Sequence, residues 1–240
     1  MVLTRVAGVT YSHLSANFCV TPGRLVALLD SLKRLHTEAG STDTVSDELL
    51  CTNYARKVKQ RYQKHEAFFR SFGADVPQLA SKILSFLEDY ETQKRFNKAG
   101  YIHGDPVFSN VLLTHDGRVK FLDMRGALGD VLTTCGDVAY DLSKVYQSLC
   151  GYDAIILDVP VDAAGAQTLA KLRSCFATWL AKNYPSVKMR DVRLIVAAHY
   201  FCIVPLHDNL HHQRQFLAKA RWLLEADDDA SGTGPDAVVA

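Results

Sequence analysis

Residues 100–126 read GYIHGDPVFSNVLLTHDGRVKFLDMRG, and the fold reading turns on this stretch. A loop carrying His103, Gly104 and Asp105 leads into a short apolar run, Val111–Leu113. His115-Asp116-Gly117 interrupts it, and Val119–Leu122 resumes it. Asp-Gly between two apolar runs is a strong local signal for a β-hairpin. The hairpin turns the chain back, so Asp123, just past the second strand, is expected beside Asn110, just before the first.

Around this hairpin the pattern is helical. RVAGVTYSHL, residues 5–14, reads as a weak strand. Thr21-Pro22 then supplies a cap and a first-turn proline, followed by Leu25, Leu28, Leu29, Leu32 and Leu35 at helical spacing. AGSTDT, residues 39–44, is a loop. One long helix is expected from about Ser46 to Phe72, with Leu50, Tyr54, Val58 and Tyr62 every fourth residue. Another follows Gly73 to Pro77, carrying Ile83, Phe86, Leu87 and Tyr90. Beyond the hairpin, helices are expected at about Asp137–Leu149, Ala164–Asn183, Val192–Val204 and Gln213–Leu224. The last residues, acidic, small and containing Gly and Pro, read as a disordered tail. With no repeat and no internal linker, the expectation is one helical domain over residues 1–225 and a tail over 226–240.

Composition sets the outer limits. With 48% hydrophobic and 22% charged residues in 240, the chain is of globular type rather than disordered or fibrous. Lys+Arg 27 against Asp+Glu 26 gives a net charge of +1, which argues against a nucleic-acid partner. No apolar run approaches the roughly 20 residues that span a bilayer. MVLTRVAGVTYSHL has no apolar core of a signal peptide, so a cytoplasmic location without a membrane partner is expected. Cys19, Cys51, Cys135, Cys150, Cys175 and Cys202 form no CxxC pair and are expected to be reduced and mostly buried.

The chemistry concentrates in His103-Gly104-Asp105, four residues, Asn110, a hairpin, then Asp123-Met124-Arg125-Gly126. Phosphoryl transfer needs a carboxylate that orients or deprotonates an attacking hydroxyl, and hard oxygen ligands for Mg²⁺. Asp105 opens the loop and is placed to face a nucleophile. Asn110 and Asp123, at neighbouring strand ends, are the oxygen pair for a metal. The spacing of Asp and Asn is that of the kinase catalytic loop.

On these residues the chain resembles the aminoglycoside phosphotransferase and choline kinase superfamily, marked by His-Gly-Asp-x-x-x-x-Asn followed by a strand ending in Asp. The resemblance extends more loosely through Gly136-Asp137 and Tyr140-Asp141-Leu142. It implies a mainly α fold with a small β-hairpin, the C-lobe of a protein-kinase-like (PK-like) structure that begins near the hinge without its N-lobe. It also implies an ATP-dependent phosphotransferase with Mg²⁺ as cofactor and ATP as co-substrate, acting on a small hydroxylated molecule such as a sugar, amino alcohol or aminoglycoside. Asp105 would be the catalytic base, Asn110 and Asp123 the metal ligands, and His103 an anchor of the loop. Asp141 would accept hydrogen bonds from the loop backbone.

Two departures bear on this reading. Asp-x-Arg-Gly at 123–126 resembles a branch of polysaccharide-locus proteins, some joined to nucleotidyltransferase domains; Arg125 could contact a phosphate or pair with an acid such as Asp130. The nucleotide-binding lobe of about 80–100 residues, with a glycine-rich loop and a phosphate-binding Lys, does not precede the first helix. RVAGVTYSHL resembles the lobe's last strand. A longer protein or a partner supplying that lobe is one expectation, and weak turnover by residues 1–240 alone follows from it. The alternative is a non-catalytic pseudokinase or scaffold lobe that binds a partner or a sugar-like ligand.

Other features have blander readings. His207, His211 and His212 could hold a metal or touch substrate, since His207 and His211 are four apart and could share a helix face; capping by Asp208 and Asn209 at an exposed helix start explains the segment without either. The basic run Arg56, Lys57, Lys59, Arg61 and Lys64 reads as a solvated helix face, or as an attractant for anions. Phe68-Phe69 and Trp179 read as core.

Overall fold

The computed structural model describes residues 6–38 and 45–226; the loop expected at 39–44 and nearly all of the expected tail lie outside them. Strand β1 (Gly8–Thr10) is short because Thr10 caps a helix, its hydroxyl accepting from the His13 amide. Tyr11–Leu14, read from the sequence as strand, therefore belong to helix α1 (Tyr11–Ala16). Helix α2 (Pro22–Thr37) starts where Thr21 accepts from the Arg24 amide. Pro22 occupies the first turn, where its missing N–H costs nothing, and Leu25, Leu28, Leu29 and Leu32 are buried.

The single helix expected over 46–72 is three: α3 (Asp47–Cys51), α4 (Ala55–Lys64) and α5 (Glu66–Arg70). Residues four apart advance about 40° per step around a helix of 3.6 residues per turn. Leu50, Tyr54, Val58 and Tyr62 thus cannot all face one way along a straight rod. The breaks redistribute them. Leu50 packs with Val45, Leu128 and Cys135 in a small cluster, while Tyr54 and Val58 enter the main core. Helix α6 (Val76–Thr92) buries Ile83, Phe86, Leu87 and Tyr90, as its spacing predicts.

After β2 (Lys98–Ala99), the hairpin forms from β3 (Val111–Thr114) and β4 (Val119–Phe121), with Gly117 at φ +79° in the turn. β1 pairs antiparallel with β3, giving a three-stranded sheet in the order β1-β3-β4. Short pairs complete the strands: β5 (Ala127–Leu128) with β6 (Val131–Leu132), and β2 with β7 (Gly136–Asp137).

Five helices follow: α7 (Val138–Leu149), α8 (Tyr152–Ile156), α9 (Ala163–Asn183), α10 (Met189–Ile203) and α11 (Leu210–Glu225). The short α8, after Gly151 at φ +91°, has no counterpart in the sequence reading. Every residue of α7 is buried, between α9 and α10. The chain is mainly helical with small antiparallel sheets.

Phe69 stacks on Phe201 at 4.4 Å, joining α5 to α10, whereas Phe68 stands at the surface rather than in the core. Trp179 is buried and donates its indole N–H to Asp30 at 2.8 Å. All six cysteines are free thiols; Cys135, Cys150 and Cys202 are buried, and Cys19 is exposed. Among the described residues no helix is long and apolar enough to cross a membrane.

Candidate active site

A fully buried helix must account for its polar side chains, because each unpaired buried polar group costs roughly 1–3 kcal/mol. In α7 three of them, Asp141, Lys144 and Ser148, recur at helical spacing and grip one loop. The Asp141 carboxylate accepts from the His103 and Gly104 amides, both at 2.7 Å, and from His36 Nε2 at 3.0 Å. Lys144 Nζ meets the Asp105 carboxylate at 3.1 Å. Ser148 Oγ accepts from the Phe108 amide at 3.0 Å. The segment 103–108 is thereby pinned along one face of α7.

A second loop is tied to the first. The Arg125 amide donates to the His103 carbonyl at 2.9 Å. Gly104 sits at φ +84°, and a Cβ there would come within 2.7 Å of the Arg125 Cβ, so this crossing requires glycine. His103 Nδ1 accepts from the Asp105 amide at 3.2 Å, and its ring lies 5.5 Å from that of Phe121. Its Nε2 is buried without a hydrogen-bond partner.

Asp105 itself is only half-buried. Burial pushes its carboxyl up, but Lys144, Arg125 and Lys57 together outweigh that and hold it below the usual carboxylate value. It is ionised at neutral pH. A low-pKa carboxylate is a weak proton acceptor but a firm hydrogen-bond acceptor, suited to aligning a hydroxyl.

Asn110 and Asp123 come to the same end of the hairpin. Val111 pairs with Phe121, and the Leu122 amide donates to the Asn110 carbonyl at 2.9 Å. Asn110 spends its side-chain NH₂ on the Asp105 carbonyl oxygen at 3.0 Å, which leaves its Oδ1 available. Asp123 is exposed and adopts φ +55°, a left-handed corner that Asp tolerates better than most residues and that turns the chain back toward His103. No group of three His, Cys, Asp or Glu side chains suited to a metal occurs among the described residues. One amide oxygen and one carboxylate are nonetheless the sparse protein set that Mg²⁺ accepts, water and phosphate oxygens filling its octahedron. The donor chemistry fits.

Among the described residues Arg125 forms no ion pair with Asp130 or another acid; its Nη1 donates to the Tyr140 hydroxyl at 3.0 Å. Lys57 donates to the same oxygen at 3.1 Å. The basic run therefore divides. Lys57 and Arg61 turn inward, the latter to the Cys202 carbonyl at 2.9 Å, while Arg56, Lys59 and Lys64 are exposed. Burial pushes Tyr140 up, but Lys57, Lys144 and Arg125 bring its phenol down to about 7.

Lys144, Tyr140 and His36 are site residues that no motif in the sequence marks. One signal was present: Tyr140 and Lys144 are four apart and share a helix face.

The histidine segment has no shared helix face. His207 follows a 3₁₀ turn, and α11 begins only at Leu210, capped by Asn209. His212 instead meets Asp158 at 2.7 Å. At the start of α7, Asp137 is buried and accepts from Tyr54, Tyr90 and the Asn97 and Ala139 amides; burial still pushes its carboxyl above the ordinary range.

Neither a protein-family model nor a curated protein sequence matches the chain.

Proposed function

We infer that the chain is the helical lobe of an ATP-dependent, Mg²⁺-assisted phosphotransferase acting on a small hydroxylated molecule. One observation carries this reading: an ionised, half-exposed carboxylate, Asp105, sits on a loop locked to α7, next to two hard oxygen donors at the hairpin end. Phosphoryl transfer asks the protein mainly for alignment and charge neutralisation. Asp105 would orient the acceptor hydroxyl and take its proton late in transfer. Asn110 and Asp123 would hold Mg²⁺, which when bound neutralises phosphate charge. Asp141 and Ser148 keep the loop backbone in place, and Arg125 ties the two loops together. ATP-binding elements beyond β1 would come from an upstream lobe or a partner; a cytoplasmic setting suits ATP and free thiols.

The test is ADP release from ATP by the protein in its native reading frame, against sugars, polyols and amino alcohols. Asp105→Asn is expected to lower turnover by about a hundredfold or more while its melting curve still shows a folded protein. Equal turnover in the variant rejects the reading.

A further inference from the structure

Three cations from three separate elements converge on one buried phenol. Lys57 of α4 and Arg125 of the loop after β4 both donate to the Tyr140 hydroxyl. Lys144 of α7 lies 6.0 Å from the Tyr140 ring centre while it pairs with Asp105. Two carboxylates lie close enough to matter, Asp105 and Asp141. Asp141 is already committed to two backbone amides and His36. His199 of α10, its ring 4.9 Å from that of Tyr140, adds no charge: burial and the same three cations push it well below its ordinary pKa. Among the described residues, Asp105 pairs with Lys144, whereas Lys57 and Arg125 meet only the phenol oxygen, whose ionisation near 7 supplies part of a negative charge. Like charges crowded in a half-buried site repel strongly unless an anion shares it. Tyr140 and Lys144 form the buried floor, and Arg125 and Asp105 keep access to solvent.

We propose that Lys57, Arg125 and Lys144, over Tyr140, bind a phosphate-class dianion carried by the acceptor molecule, beside the hydroxyl that Asp105 orients. The proposal rests on the phosphotransferase reading and narrows it. A guanidinium and two ammonium groups suit a phosphate's oxygens. A phosphorylated sugar or polyol is drawn in, and a polycationic acceptor such as an aminoglycoside is repelled.

Calorimetric titration of the full chain with inorganic phosphate, alone and with saturating Mg²⁺ and a non-hydrolysable ATP analogue, separates the two sources of such a group. Phosphate is expected to bind in both conditions. Lys57→Gln and Lys144→Gln, on different helices, should each weaken it on the order of tenfold, since a hydrogen bond to a charged group is worth about that factor. Asp105→Asn should tighten it severalfold by releasing Lys144. Lys59→Gln, exposed on the same helix as Lys57, should leave it unchanged, and melting curves show which variants fold. Absence of phosphate binding, or indifference to both inward lysines, overturns the proposal. So does displacement by the nucleotide analogue, which assigns the cations to its γ-phosphate. None of these readouts needs turnover, so they fail or succeed separately from the Asp105→Asn activity test.

Discussion

Four of the six aspartates within residues 105–141 live in two different worlds. Asp137 and Asp141, at the start of α7, are buried and surrounded by donors: two tyrosine hydroxyls and two amides for one, two amides and an imidazole for the other. Asp105 and Asp123, on the two loops, keep solvent access, and a single lysine reaches Asp105. The first pair has its oxygens committed to the fold. The second pair has oxygen capacity in reserve, and reserve capacity is what a bound hydroxyl or cation requires. Burial together with donor count, rather than residue type, separates the carboxylates that build from those we assign to chemistry.

The comparison breaks most easily at Asp137. Asp137→Ala orphans two buried hydroxyls and two amides, and is expected to destabilise the fold by about 3–5 kcal/mol, read as a large drop in denaturant midpoint. Asp141→Ala leaves the His103 and Gly104 amides unpaired and should cost about 2–4 kcal/mol by the same measurement. Full stability in either variant would put that aspartate outside the building pair. Gly104→Ala sharpens the point at the crossing of the loops. The left-handed backbone and the close Arg125 Cβ predict a loss of about 1–3 kcal/mol, with Asp105-dependent turnover falling further than stability alone explains.

The smallest effect is spectroscopic. Tyr140, brought down to about 7, should ionise well before the other tyrosines, as a one-residue step in absorbance at 295 nm that disappears in Tyr140→Phe. The sign for stability follows. The folded value lies below the ordinary 10, so Tyr140 contributes stability that is fully present above pH 10 and is lost as pH falls through 7. A tyrosine spectrum flat from pH 6 to 8 would mean that the three cations do not converge as described.

Much of this was legible in the sequence, and the rest for definite reasons was not. The hairpin follows from local chemistry at Asp116-Gly117, and α2 and α6 follow from apolar spacing, so both readings survive. Asn110 and Asp123 share the hairpin end because register is set by the turn. The long helix at 46–72 misled because a four-residue repeat fits a straight helix only over a turn or two. Lys57 was hidden in a run of five cations, whose inward members depend on how α4 rotates against α6 and α10. Nor can spacing reveal that Arg125 reaches Tyr140 instead of Asp130, since that contact depends on the left-handed turns at Asp123 and Gly126.

Mg²⁺-nucleotide binding tests the division between the two pairs most directly. Calorimetry on the native-frame protein, with melting curves alongside, should show Asp123→Ala losing the Mg²⁺-dependent heat while the protein stays folded, its melting temperature lower by only a few degrees, because the side chain is exposed and the left-handed corner at φ +55° costs Ala about 1 kcal/mol. Undiminished Mg²⁺-dependent binding by a folded Asp123→Ala would contradict the account, removing the metal from the hairpin end and Asp123 from the pair assigned to chemistry.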